Sequence, residues 1–121
     1  MKKSVLVVDD EPMIRDLIRE ALGDRYRIVE ASSGEEALRL LESSRPDLMI
    51  LDIMMPGIDG YTVVAKVRGD PRTKDVPILI LSARTGEIYE KISERFGAVD
   101  HIGKPMDVKS FVEKIDSIMG E

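Results

Sequence analysis

Five times along this chain a short apolar run, rich in β-branched residues, gives way to a stretch with helical periodicity. That alternation leaves few folds open. The first of these apolar runs, Ser4–Val8, has almost no polar interruption, as expected of a strand covered on both faces, and the helices between the strands are the available cover. The chain reads as α/β, a parallel sheet wound with helices on both sides.

The first run is Ser4–Val8. After it, Ile14, Leu17, Ile18, Ala21 and Leu22 recur at helical spacing with charged residues between them, and Gly23 is a stop. Residues 26–31 form a second strand. Ser33-Gly34-Glu35-Glu36 opens a second helix, carrying Ala37, Leu38 and Leu41. Leu48–Leu51 is the third strand and ends at Asp52. A loop through Pro56 and Gly60 leads to a helix marked by Tyr61, Val64 and Val67. Residues 78–81 follow as the fourth strand. Ile88, Ile92 and Phe96, four residues apart, predict the apolar stripe of a fourth helix. Residues 99–102 make the fifth strand, and Val108, Phe111, Val112, Ile115 and Met119 the stripe of the last helix.

With 121 residues, 43% of them apolar, the chain suits one domain spanning 1–121. Eighteen basic against 23 acidic side chains give a net charge of −5, which argues against broad binding to nucleic acid or an anionic membrane. Without cysteine there is no disulfide framework, thiolate zinc site or Cys nucleophile, and the composition fits a reducing cytoplasm. No apolar run reaches the ~20 residues of a membrane span.

In a parallel wound sheet, ligands sit at the carboxyl ends of the strands. Here the first strand ends in Asp9-Asp10, the third in Asp52, the fourth in Ser82 and the fifth in Gly103-Lys104-Pro105. Taken singly, Asp10 reads as a helix cap, Asp9 and Asp52 as turn formers, Ser82 as a cap and Lys104 as a solvated lysine. Together they place three carboxylates, a hydroxyl and an ammonium on one rim. Carboxylates ~5 Å apart at an effective dielectric of ~20 repel by roughly 3 kcal/mol per pair, so the cluster must protonate, gain a cation or pair with Lys104. An oxygen-only site with few protein ligands suits Mg²⁺. A cation, Lys104 and a hydroxyl make a cradle for a transferring phosphoryl group, with one carboxylate as nucleophile.

The segments Val7-Val8-Asp9-Asp10-Glu11 and Leu51-Asp52-Ile53-Met54-Met55-Pro56-Gly57-Ile58-Asp59-Gly60, with Ser82-Ala83 and Lys104-Pro105, resemble the receiver domain of bacterial two-component response regulators, in particular the single-domain, chemotaxis-regulator-like kind. The resemblance covers essentially the whole chain. It implies a doubly wound, flavodoxin-like (βα)5 fold with strand order 2-1-3-4-5. Asp52 would be the phosphoacceptor. Asp9, Asp10, Asp52 and the backbone carbonyl of Met54 would hold Mg²⁺. Ser82 would bond a phosphoryl oxygen, Ala83 would leave room for it, and Lys104 would pair with it. The Lys104–Pro105 bond would be cis. His101 stands where the family carries the Tyr or Phe that swings inward on activation; the favoured reading is a tolerated, partly exposed aromatic-like residue, the sharper one a switch residue. Val99 stands where an acidic residue is common.

The resemblance further implies a regulatory domain and not an enzyme proper, one that assists its own phosphotransfer and dephosphorylation. Its donor would be a histidine kinase or histidine phosphotransfer protein, docking near the helix after Asp10, with Leu17 and Ile18 inward and Arg15 and Arg19 outward. Its output would be a downstream protein, or self-association, through the fourth helix, fifth strand and fifth helix. Met54 and Arg84 occupy positions that tune phosphoryl lifetime, and Met54 cannot orient a water by hydrogen bonding, so self-dephosphorylation should be slow. The last helix lacks an arginine-rich face, which leans toward a stand-alone receiver over a piece of a larger regulator. Rival readings fit less well. A phosphohydrolase using Asp52 would want an acid-base where Met54 stands. A flavodoxin-like cofactor binder would want a Ser-, Thr- or Gly-rich loop where this chain has Asp-Asp-Glu-Pro, and no Gly-Lys-Ser/Thr nucleotide loop occurs. A pseudo-receiver would have lost acceptor or metal residues.

Overall fold

The computed structural model describes residues 2–83, 86–104 and 106–120. Strands β1 (Ser4–Val8), β2 (Arg27–Ala31), β3 (Leu48–Leu51), β4 (Ile78–Ser82) and β5 (Asp100–Gly103) alternate with helices α1 (Pro12–Leu22), α2 (Gly34–Leu41), α3 (Gly60–Gly69), α4 (Glu87–Arg95) and α5 (Val108–Met119). All strand pairs are parallel and the order is β2-β1-β3-β4-β5, the order that the resemblance implied.

Period-two alternation along each strand builds two cores from one sheet. Leu6, Val8, Met49, Leu51, Ile78 and Ile80 face α2 and α3, meeting Ala37, Leu41, Val63, Val64 and Val67. Val5, Val7, Leu48, Ile50, Leu79 and Leu81 face α1 and α5, meeting Ile18, Leu22, Phe111, Ile115 and Met119. These positions are essentially closed to solvent. Each fully buried Leu, Ile or Phe contributes roughly 1.5–3 kcal/mol, which is what pins the register.

Local chemistry sets the helix starts. Ser33, Asp59 and Asp107 cap α2, α3 and α5, accepting from the backbone N–H of Glu36, Thr62 and Ser110. Pro12 opens α1, where a missing N–H is harmless, and Glu11 holds the cap position with its carboxylate left for other use. In the loop after β3, Gly57 has φ +85°, and a Cβ on Gly60 would lie 2.4 Å from Ile53 Cα. Both glycines are therefore needed to fold that loop back over the strand end.

Three strands differ in their limits from the sequence expectation, β5 also running one residue further, through Gly103. Tyr26 precedes β2; it is buried, and its hydroxyl donates to Asp116 Oδ1 on α5 at 2.7 Å. β4 runs one residue further, through Ser82, and β5 starts at Asp100, leaving Val99 exposed. Three facing assignments also change. Leu17 points outward, because Ile18 and Leu22 already fill the space under α1. Arg15 is folded inward, donating to the Asp9 carbonyl at 2.6 Å and to Glu30 Oε1 at 3.0 Å. The α4 stripe does not form a core face: Ile88 is 67% and Phe96 42% exposed, and the residue of α4 that is buried is Ser93.

Candidate functional site

Register brings the strand ends together. Val8 lies opposite both Ala31 and Leu51, so the next residues, Asp9 and Asp52, are side by side; Asp9 N–H donates to the Ala31 carbonyl and Asp52 N–H to the Val8 carbonyl. Ser82 lies opposite Gly103, and the Lys104 N–H donates to the Ser82 carbonyl at 2.8 Å. The four ends that the sequence singled out thus share one rim.

Asp9 and Asp52 are almost fully buried, while Asp10 is exposed. Each buried carboxylate also makes the turn contact that its bland reading called for: Asp9 Oδ1 accepts from Glu11 N–H at 2.9 Å, and Asp52 Oδ1 from Met54 N–H at 2.8 Å. Their other oxygens share one cation. Lys104 Nζ lies 2.8 Å from Asp9 Oδ2, 3.1 Å from Asp52 Oδ2 and 3.1 Å from Glu11 Oε1. Ligand oxygens of Asp9, Asp10, Glu11 and Asp52 fall within 4.8 Å of one another. Glu11 is the member that sequence reasoning missed. Glu11 holds the N-cap position of α1 without a side-chain cap bond, and its carboxylate meets Lys104 instead.

The electrostatics follow from this crowding. Burial pushes the Asp52 carboxyl above its ordinary value, and the nearby Asp9 charge adds to that, against the lowering effects of the Met54 N–H and Lys104. For Lys104, burial disfavours the ammonium, but hydrogen bonds to Asp9, Asp52 and Glu11 outweigh it and hold the lysine above its usual range. One ammonium faces three carboxylates in direct contact, with Asp10 alongside, so negative charge remains in excess. A hard divalent cation fits that excess and that all-oxygen donor set.

Ser82 is fully buried at the end of β4, and Ala83, just beyond it, is exposed. The Met54 side chain is half exposed. Pro105 and Arg84 lie outside the described residues. His101 is not partly exposed, as the favoured reading had it, but buried on β5, with Nδ1 2.7 Å from Ser93 Oγ. Tyr61 Oη on α3 lies 3.3 Å from the same Ser93 oxygen. Neither Ser93 nor this pairing was legible beforehand, because a serine in a charged helix carries no signal of what it meets.

A family model described as the response regulator receiver domain matches residues 5–116. Among curated relatives, the chain is 42% identical over 120 residues to the probable transcriptional regulator ycf27 of Guillardia theta, covering 98% of this chain and 46% of that protein. It is 36% identical over 117 residues to the transcriptional regulatory protein AfsQ1 of Streptomyces coelicolor, covering 96% and 51%. The chain therefore spans about half the length of these relatives. Among solved structures, a response regulator from Chloroflexus aurantiacus superposes with a TM-score of 0.92 at 34% identity, covering all of both chains. The chemotaxis response regulator CheY4 of Vibrio cholerae superposes with a TM-score of 0.91 at 29% identity, covering 98% and 99%. With the strand order, the paired buried aspartates and the rim lysine in place, these matches identify the chain as a member of the response regulator receiver-domain family.

Proposed function

We propose that this chain is a phosphorylation-dependent signalling switch that accepts a phosphoryl group on Asp52 from a phosphohistidine donor, with Mg²⁺. The observation that carries the reading is the single Lys104 ammonium in contact with Asp9, Glu11 and Asp52, two of these carboxylates being buried. Such a cluster attracts a metal and, once neutralised, a phosphoryl group.

Asp9, Asp10, Asp52 and the Met54 carbonyl would hold Mg²⁺, and Glu11 is a further carboxylate within reach. The metal supplies charge neutralisation at the phosphoryl oxygens. Asp52 is the nucleophile: burial strips its hydration, while the Met54 N–H fixes one oxygen and leaves the other for attack. A P–O bond forms to Asp52 as the P–N bond of the phospho-imidazolium donor breaks, its electron pair staying on the ring, which leaves as neutral imidazole. Lys104 exchanges a carboxylate partner for a phosphoryl oxygen, and Ser82 offers its hydroxyl beside it. Ala83 leaves the approach open, and Met54 offers no hydrogen bond to a hydrolytic water, which favours a long-lived phosphoryl group.

The donor is a histidine kinase or histidine phosphotransfer protein approaching over α1, where Met13 and Leu17 are exposed. The readout is the surface of α4, β5 and α5, which binds a downstream protein or a second copy. None of the described helices is long and apolar enough to cross a membrane, and a cytoplasmic role accords with the phosphoryl donor. Intact-mass measurement after incubation with phosphoramidate and Mg²⁺ tests the reading. One added phosphoryl group, dependent on Mg²⁺ and lost in Asp52→Ala, is expected. No adduct, together with no beryllofluoride binding, would turn the reading to a receiver-like binding module.

A further inference from the structure

Helix α4 is attached to the fold in an unusual way. Among the described residues, none of α4 belongs to either apolar cluster. Ile88 is exposed and Ile92 only partly buried, Phe96 just past the helix end is exposed, and the buried position of α4 is Ser93. That serine sits between two polar groups from other elements: His101 Nδ1 on β5 at 2.7 Å and Tyr61 Oη on α3 at 3.3 Å. The Tyr61 ring also lies 4.9 Å from Phe96, its plane tilted by 31°. The buried hydroxyl and imidazole, with a partly buried phenol beside them, are costly to separate, since a buried group left without a partner does not recover the hydration it gave up on folding.

β5 is four residues long and carries His101 three positions before Lys104. The Lys104 N–H is bonded to the Ser82 carbonyl at the end of β4. The tether to α4 and the rim ammonium thus lie on one short segment. The tether is made in the arrangement in which Lys104 is held by Asp9, Asp52 and Glu11. A phosphoryl group on Asp52 competes for that ammonium.

We propose that Ser93 is a positioning residue for the switch: through His101 and Tyr61 it holds α4 and β5 in the arrangement that keeps Lys104 on the carboxylates, and so opposes occupation of the phosphoryl site. This inference rests on the proposed phosphoacceptor function. A restraint that stabilises one arrangement weakens any ligand that favours another, and the coupling is reciprocal. Ser93→Ala should therefore bind the phosphoryl mimic beryllofluoride more tightly, in the presence of Mg²⁺, by about fivefold, the ratio that one net hydrogen bond corresponds to.

The measurement is titration of the whole chain with beryllofluoride at fixed Mg²⁺, for wild type, Ser93→Ala, His101→Phe and the double variant. Tighter binding in Ser93→Ala, with little further change when Ser93→Ala is added to His101→Phe, supports the proposal. Unchanged or weaker binding in Ser93→Ala, or fully additive effects, overturns it. Amide hydrogen exchange gives a readout apart from the site: α4 amides should exchange faster in Ser93→Ala and regain protection in Ser93→Thr, which restores the hydroxyl. Exchange in Ser93→Ala equal to wild type overturns the tether. Failure of wild type itself to bind beryllofluoride would reject the phosphoacceptor reading instead, while the exchange comparison would still report on the tether.

Discussion

The rim at the ends of β1 and β3 and the edge formed by α4 and β5 are held by opposite means. At the rim, two buried aspartates are each fixed twice, by a backbone N–H and by Lys104. At the edge, α4 presents Ile88 to solvent, Phe96 just past its end is half exposed beside the Tyr61 ring, and the buried Ser93 hydroxyl meets His101 and Tyr61. Under the proposed function, chemistry on Asp52 would need groups that stay where they are. Signalling needs a part that moves at small free-energy difference, and such parts come from the lightly packed end of a structure. In that reading the two regions would divide these demands within one domain, joined by the few residues from His101 to Lys104.

The difference should appear as unequal responses to substitution. The largest effect is expected at the rim. Lys104→Met leaves Asp9 and Asp52 buried without their cation and should lower unfolding free energy by about 3 kcal/mol, read from urea denaturation. Millimolar Mg²⁺ should restore part of it. A loss no larger than that of a surface substitution would mean that the rim is not over-determined.

A smaller effect with a definite sign belongs to Asp52. Burial raises its folded-state pKa above the ordinary 3.8. Between those two values the folded chain holds more protons than the unfolded chain, so this group makes stability fall as pH rises through that window. Asp52→Asn should thus be more stable than wild type at pH 7, and its advantage should shrink as pH falls toward 3.8. An Asn variant that is less stable at pH 7 would show that Lys104 and the Met54 N–H outweigh desolvation.

The smallest effect is expected on α4. Ile88→Ala should change stability by no more than about 0.5 kcal/mol, as for an exposed side chain with few contacts. A loss near the 2–5 kcal/mol of a buried isoleucine would mean that α4 is packed as firmly as the rest and would remove the contrast.

Several parts of this picture were readable without coordinates. The runs at 5–8, 48–51 and 78–81 are apolar at every position because both faces of a parallel sheet are covered, and alternation then sorts Val5 and Val7 from Leu6 and Val8. The acidic and basic strand ends were readable too, because parallel strands point their carboxyl ends the same way. Tertiary structure decided the rest. Spacing says that Ile88, Ile92 and Phe96 share a face, but only neighbouring elements determine whether that face is covered, and α4 turns Ser93 inward to meet His101. Leu17 belongs to the right stripe and still points out, because Ile18 and Leu22 fill the core beneath. Glu11 reads as a residue before a helix until the packing brings its carboxylate to Lys104, 93 positions away in the chain. Periodicity and strand direction are local or repeated properties that a chain carries in its own order, whereas a buried polar pair depends on which distant groups the finished packing brings within reach.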